Sequence, residues 1–197
     1  MKITSQMVKE LRDTTKAGMM DCKKALSEND GDMEKAVDFL RQKGLAVAAK
    51  RAGRDTSEGI IEFYSHSGGK LAAMVEVGCE TDFVAKTDAF IQFAKDMAMH
   101  VAAMNPVGLG RDEVPAEMLE REKAIYVKRA LDSGKPENIV EKIVTGQINK
   151  YYSEICMLEQ KFVKDPDVTI QDMLNSLIAS MGENITIKRF ARFAIGA

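Results

Sequence analysis

Apolar and polar residues change their period twice along this chain, and the changes divide it into parts. From Ser5, SQMVKELRDTT sets Val8 and Leu11 on one helical face, with Ser5 placed to cap it. Gly18 interrupts; MMDCKKALSEND then carries Met19, Cys22 and Leu26 at helical spacing and ends in the turn-tolerant NDG. A third stripe, Met33, Ala36, Val37 and Leu40, begins at Asp32 and has Gly44 as its expected C′ residue. Helices this short do not stand alone, so the three must share one small core. LAVAAKRAGRD, Ala-rich and basic at its end, reads as a helix extension or a linker, which places the first domain at residues 1–54.

After Gly59 the period falls towards 2. IIEFYSH and KLAAMVEVGC are strand candidates, with Leu71, Ala73, Val75 and Val77 alternating, and SHSGG supplies the turn of a hairpin between them. Near Asp88 the helical period returns through Phe90, Phe93, Ala94, Met97 and Val101, until Pro106 stops it. Pro115 opens the next helix, and Val140, Ile143, Val144, Ile148, Tyr151 and Ile155 mark a longer one that Gly146 weakens. These two are expected to pair as an antiparallel helical hairpin over about residues 115–158, turning at Gly134 and Pro136. Thr169 and Asp172 have capping-box spacing ahead of Leu174, Leu177, Ile178 and Met181. The closing ENITIKRFARFAIGA alternates through Ile185, Ile187, Ala191, Phe193 and Ile195 and predicts a third strand beside the hairpin. The fold class is α+β: a three-helix N-terminal domain, then a core at 55–197 with an antiparallel sheet under helices.

Composition narrows the chemistry. The 197 residues are 45% apolar and 29% charged, with a net charge of -2, the profile of a globular protein. Broad capture of nucleic acid needs many phosphate-neutralising cations, so direct nucleic-acid binding is not expected. Charge is instead local: 10 bases and 8 acids in residues 1–50, 2 bases and 7 acids in 55–90, and three bases without an acid from Ile185 onward. That mosaic suits a protein partner. Cys22, Cys79 and Cys156 form no CxxC pair, and no apolar run approaches eighteen residues, so a reducing cytosol and no membrane contact are expected. His66 and His100 lie far apart, and no phosphate-binding glycine loop or zinc motif occurs. No catalytic residue, metal ligand or cofactor site is therefore assigned. A hydrolase assembled in space from Cys, His and Asp is left as a formal alternative, and a scaffold built on the three-helix domain as another.

Two stretches hold candidate contact residues. In CETDFVAKTD a strand gives way to a helix, and such connections commonly carry function. The segment Thr81 to Val84 has two readings: a local one, in which Thr81 or Asp82 helps cap a helical turn and Phe83 folds back onto the core, and one in which Phe83 projects as an anchor for a partner's pocket with Asp82 beside it. Gly18, Met19, Met20 and Asp21 raise a similar question, since the two methionines suit either a core or an adaptable surface.

TKAGMMDCKKAL at 15–26, CETDFVAKTDAF at 79–90 and GENITIKRFARF at 182–193 resemble, in order and spacing, the signature stretches of the elongation factor Ts family, over essentially the whole chain. The resemblance implies a ubiquitin-associated-like N-terminal domain and a short bacterial, cytoplasmic member without the second core repeat of longer ones. It implies a guanine-nucleotide exchange factor for elongation factor Tu in translation elongation. Thr81, Asp82, Phe83 and Val84 would displace magnesium contacts in that GTPase, and Gly18 to Asp21 would grip a second surface of it. It further implies a homodimer, with the last strand near Phe190 to Ile195 as contact region. Two positions depart from the family's usual residues: Lys16, where Gly is usual, and Gly78, where Asn is common and where Gly is expected to relax the strand end.

Overall fold

The hydroxyl that caps the first helix belongs to Thr4, not Ser5: Thr4 Oγ1 accepts the Met7 N–H at 3.3 Å, and Ser5 is the first helical residue. The computed structural model describes residues 3–15, 17–66, 68–134 and 136–196, and of 137 and 138 the backbone alone; Lys16 lies outside the described residues. Helix α1 (Ser5–Thr15), α2 (Met19–Glu28) and α3 (Met33–Arg51) enclose a core of Val8, Leu11, Cys22, Ala25, Leu26, Ala36 and Leu40. Gly44 does not end α3. The helix continues to Arg51, and the left-handed glycine beyond its end is Gly53, at φ +85°. Gly44 is buried inside the helix against the Asn175 backbone, where a Cβ would lie 3.7 Å from the Asn175 carbonyl oxygen, an ordinary contact distance. Arg41 forks onto Asp172 in the same contact, through Nε at 3.0 Å and a terminal nitrogen at 2.9 Å. Asp172 thus serves a tertiary ion pair in addition to its place in the first turn of the helix.

Strands β1 (Glu58–Ser65) and β2 (Leu71–Cys79) form the expected antiparallel hairpin, and β5 (Ile185–Ala194) joins the other side of β2 antiparallel. Between them the chain forms the short α4 (Asp82–Ala85), α5 (Asp88–Met104), α6 (Ala116–Asp132), α7 (Glu137–Ile155), a small strand pair β3 (Lys161–Phe162) and β4 (Asp165–Thr169), and α8 (Ile170–Met181). The β3–β4 pair has no counterpart in the hydropathy reading, because two residues facing five, with a shifted register, are too few to establish a period. The α5 stripe is buried as its spacing predicts, with Phe90, Ala94, Met97 and Val101 fully inaccessible. Helices α6 and α7 share a satellite core of Ala130, Val140 and Val144, flanked by Tyr126, Val127, Ile143 and Ile148. The fold is α+β, with helices first and a central antiparallel sheet flanked by helices.

The last strand corrects the alternation read from its sequence. Ile185 and Ile187 face inward, but the register shifts opposite Glu76 and Val77, so Lys188 is an extra residue and the parity reverses. Beyond it Phe190, Arg192 and Ala194 are half-buried, while Ala191, Phe193 and Ile195 are exposed. Gly78 also has a different reason from the expected one. It is buried opposite Gly59, and a Cβ on it would meet the Lys188 side chain at 2.6 Å and the Thr56 carbonyl oxygen at 3.0 Å. Close packing, not looseness at the strand end, requires glycine there.

Chain contacts group the protein into two compact units, one running to Met99 and resuming at Gln171, the other His100–Ile170. The first carries the three-helix core, the sheet and the candidate contact residues.

Candidate functional site

The turn after β2 is built from four residues with different tasks. Thr81, in extended geometry, is the N-cap of α4, and its Oγ1 accepts the Val84 N–H at 3.5 Å. Val84 is buried and tethers the turn to the interior. Asp82 lies in the first helical turn, where its carboxylate pairs with Lys86 Nζ at 2.6 Å. That bond holds the Asp82 pKa below the ordinary carboxylate value and raises that of Lys86. Phe83, next to the buried Val84, is 79% exposed. Of the two readings open from the sequence, the ring takes the projecting one, while the capping part of the other also holds, because one threonine does that work.

A network beneath the ring pins the turn. Glu183 accepts twice from Thr81: from its backbone N–H at 3.0 Å and from its hydroxyl at 2.6 Å. Glu80 accepts the Asn184 backbone N–H at 2.6 Å and pairs with Arg54 at 3.5 Å, while Asn184 Nδ2 donates to the Arg54 carbonyl at 2.8 Å. The Asn184 N–H, followed by the charge of Arg54, keeps the Glu80 carboxyl below its usual pKa. Cys79 donates its thiol to the Thr81 carbonyl at 3.1 Å. Burial first, and then the charge of Glu183, push that thiol's pKa up, which is the opposite of what a nucleophile needs. Glu80, Arg54, Glu183 and Asn184 are the residues that sequence reading did not assign. The one signal that brought 79–90 and 182–193 together was the expectation that the closing segment adds a third strand beside the hairpin.

At the start of α2, Gly18 is the N-cap residue in extended geometry, and Met19 and Met20 are exposed, the latter by 75%. The surface reading of the methionines therefore holds, and the α2 core stripe is Cys22, Ala25 and Leu26, without Met19. Asp21 is ion-paired with Lys43 of α3, which ties the methionine-bearing turn to the bundle.

The hydrolase alternative finds no support in the geometry. All three cysteines are buried and free, Cys22 and Cys156 also have thiols raised by burial, His66 bonds to Tyr64, and His100 bonds to Gln160. Among the described residues no group of three His, Cys, Asp or Glu is placed to hold a metal ion, and no helix is long and apolar enough to cross a membrane.

Comparison with known proteins agrees with this arrangement of stretches. Residues 1–197 match the family Elongation factor TS. The chain is similar to Elongation factor Ts of Desulfotalea psychrophila, at 70% identity over the full length of both chains. It is also similar to that of Desulfosudis oleivorans, at 61% over 98% of each, and that of Geobacter sulfurreducens, at 60% over the whole of this chain and 91% of the relative.

Proposed function

The chain belongs to the elongation factor Ts family, and from that premise we propose that it promotes GDP release from elongation factor Tu by displacing the contacts that hold magnesium in the GTPase. The observation that carries the mechanism is Phe83, an aromatic ring that faces solvent from a turn whose other groups are all tied down. A rigid aromatic already held outward loses little freedom on entering a pocket, the usual design of an interface anchor. Asp82 adds a carboxylate beside it, held by an exposed partner, Lys86, that a protein surface can replace.

In this reading Phe83 enters an apolar slot of the GTPase near its metal site and moves the elements that fix the ion. Once magnesium coordination is lost, the diphosphate charge is left uncompensated and GDP leaves. Met19 and Met20, with Gly18 and Asp21, form a second contact on the same GTPase; two tethered contacts raise the effective concentration at each other. Residues 1–54 act as the gripping domain, a ubiquitin-associated-like bundle, and α6 with α7 forms a helical hairpin within residues 55–197. Coupling is reciprocal: a factor that weakens GDP binding is itself weakened by GDP, and GTP then displaces it. Such a factor works in the cytoplasm as a binding protein, not an enzyme, and needs no cofactor or nucleic-acid surface.

A second copy of the chain completes the assembly. On the outer face of the sheet Ile61, Phe63, Met74 and Phe193 are exposed, Phe63 by 71% and Phe193 by 69%, and the register places Phe63 beside Met74 and Phe193 beside Ala72. The charged pair on that face, Glu76 and Arg189, is bonded internally at 2.6 Å. An apolar, self-neutralised patch suits a two-fold contact in which the same surface serves both partners.

The test is to follow loss of labelled GDP from elongation factor Tu with and without this chain, across magnesium concentrations. Acceleration is expected, and it should shrink as magnesium is removed beforehand. Phe83→Ala should lower the stimulated rate by about 2 kcal/mol, or roughly thirtyfold, with an unchanged melting curve because the ring is exposed. Equal rates for variant and parent would defeat the mechanism.

A further inference from the structure

We propose that Glu183 is the positioning residue of the exchange turn: by accepting both the backbone N–H and the hydroxyl of Thr81, it holds Phe83 outward before any partner arrives. This rests on the reading of Phe83 given above, and it names a residue that acts through Phe83 without being part of the contact itself.

Thr81 Oγ1 has one hydrogen, and the 2.6 Å bond to Glu183 commits it there, leaving the oxygen lone pairs to accept the Val84 N–H. The capping bond of α4 therefore runs in series with the carboxylate, and a charged acceptor strengthens the chain. A four-residue helix has too few internal hydrogen bonds to persist unaided, so its orientation must come from outside. The same carboxylate also takes the Thr81 N–H. With the Thr81 carbonyl accepting from Cys79 and from the Ala85 N–H, every polar group of Thr81 is engaged. A second bracket, Glu80 to the Asn184 N–H, fixes the neighbouring residue pair in the reciprocal direction. Arg54, just past the end of α3, joins that bracket through both its carbonyl and its guanidinium. The strut is thus continuous from the basic end of the N-terminal helices to the turn that carries Phe83.

The experiment uses the full chain and a double-mutant cycle: parent, Glu183→Ala, Phe83→Ala and the double variant, with Glu183→Gln and Thr81→Val as controls. Stimulated release of labelled GDP from elongation factor Tu is measured against factor concentration, and amide hydrogen exchange is measured in the free chain. Glu183→Ala is expected to reduce exchange efficiency about tenfold, by leaving two donors without their acceptor. The same change in the Phe83→Ala background should cost less than about twofold, since both act through one ring. The amides of Thr81 and Val84 to Lys86 should exchange faster, while those of α1 and α2 keep their protection. Glu183→Gln, which keeps one acceptor oxygen, should retain more activity than Glu183→Ala, and Thr81→Val should reproduce the loosening if the Ala variant fails to fold.

An equal loss in both backgrounds, or unchanged protection of the turn in Glu183→Ala and Thr81→Val, overturns the assignment. If the parent chain itself does not accelerate GDP release, the exchange mechanism falls, and hydrogen exchange in the free chain still decides whether Glu183 orders the turn.

Discussion

His100 is buried with both ring nitrogens engaged, so its protonation state is set by geometry. Gln160 gives its amide Nε2–H to the Glu154 carbonyl at 2.7 Å, which leaves Oε1 as the acceptor for His100 Nε2 at 2.9 Å. The Val163 N–H donates to His100 Nδ1 at 3.3 Å, so that nitrogen has to be unprotonated. A second proton on the ring would oppose Val163, and burial pushes the His100 pKa below its ordinary 6.5. Above that value the ring is neutral in folded and unfolded chains alike and stability does not depend on it. Below it the unfolded chain takes up a proton that the folded one refuses, so stability falls as pH drops, by up to about 1.4 kcal/mol per pH unit until the folded pKa is reached. Urea unfolding of the parent and of His100→Asn at pH 7 and pH 5 checks this. The variant is expected to be less stable at pH 7 by about 1–3 kcal/mol, yet to lose less on acidification; an identical pH dependence would contradict the assignment.

At the scale of elements, two glycines of different kinds make opposite predictions. Gly146 sits within α7, and a Cβ there meets no atom within 4 Å, so it costs helix propensity and serves no packing need. Gly146→Ala should raise stability by about 1 kcal/mol, read as a higher melting temperature. Gly59, in β1, has φ +150°, and a Cβ on it would fall 2.1 Å from the Val77 carbonyl oxygen across the strand pair. Gly59→Ala should therefore destabilise by more than about 2 kcal/mol; a neutral result would mean that the strands separate more easily than their register suggests. Periodicity identified both residues as breaks in a pattern, yet only the neighbour across the ladder tells an expendable glycine from a required one. The bulge at Lys188 is another such case. It turns Phe193 from an expected core position into part of an exposed face.

For the whole molecule, that face is the one proposed above for self-association. If two copies pair through it, Phe63→Asp combined with Phe193→Asp places charges where apolar groups would meet, and sedimentation should show a monomer across the concentrations at which the parent is dimeric. Because both side chains are exposed in a single copy, the monomer should keep its circular-dichroism spectrum. A parent that stays monomeric at high concentration would remove the basis for the pairing.

Sequence by itself determined the helices and main strands, since amphipathic period and turn chemistry are local properties that each segment carries wherever it lies. It also picked out the stretches that tie the chain to its family. The tertiary structure decided what those stretches present. Thr81 and Glu183 lie 102 residues apart and meet only after β5 has paired with β2, so no local pattern announces their bond. Tertiary packing likewise decides that Phe83 projects, that Met19 and Met20 stay at the surface, that Gly44 lies inside a helix and does not end it, and that Gly78 is set by close packing. Side-chain direction and close approach depend on atoms contributed by distant segments, and those exist only once the chain has folded.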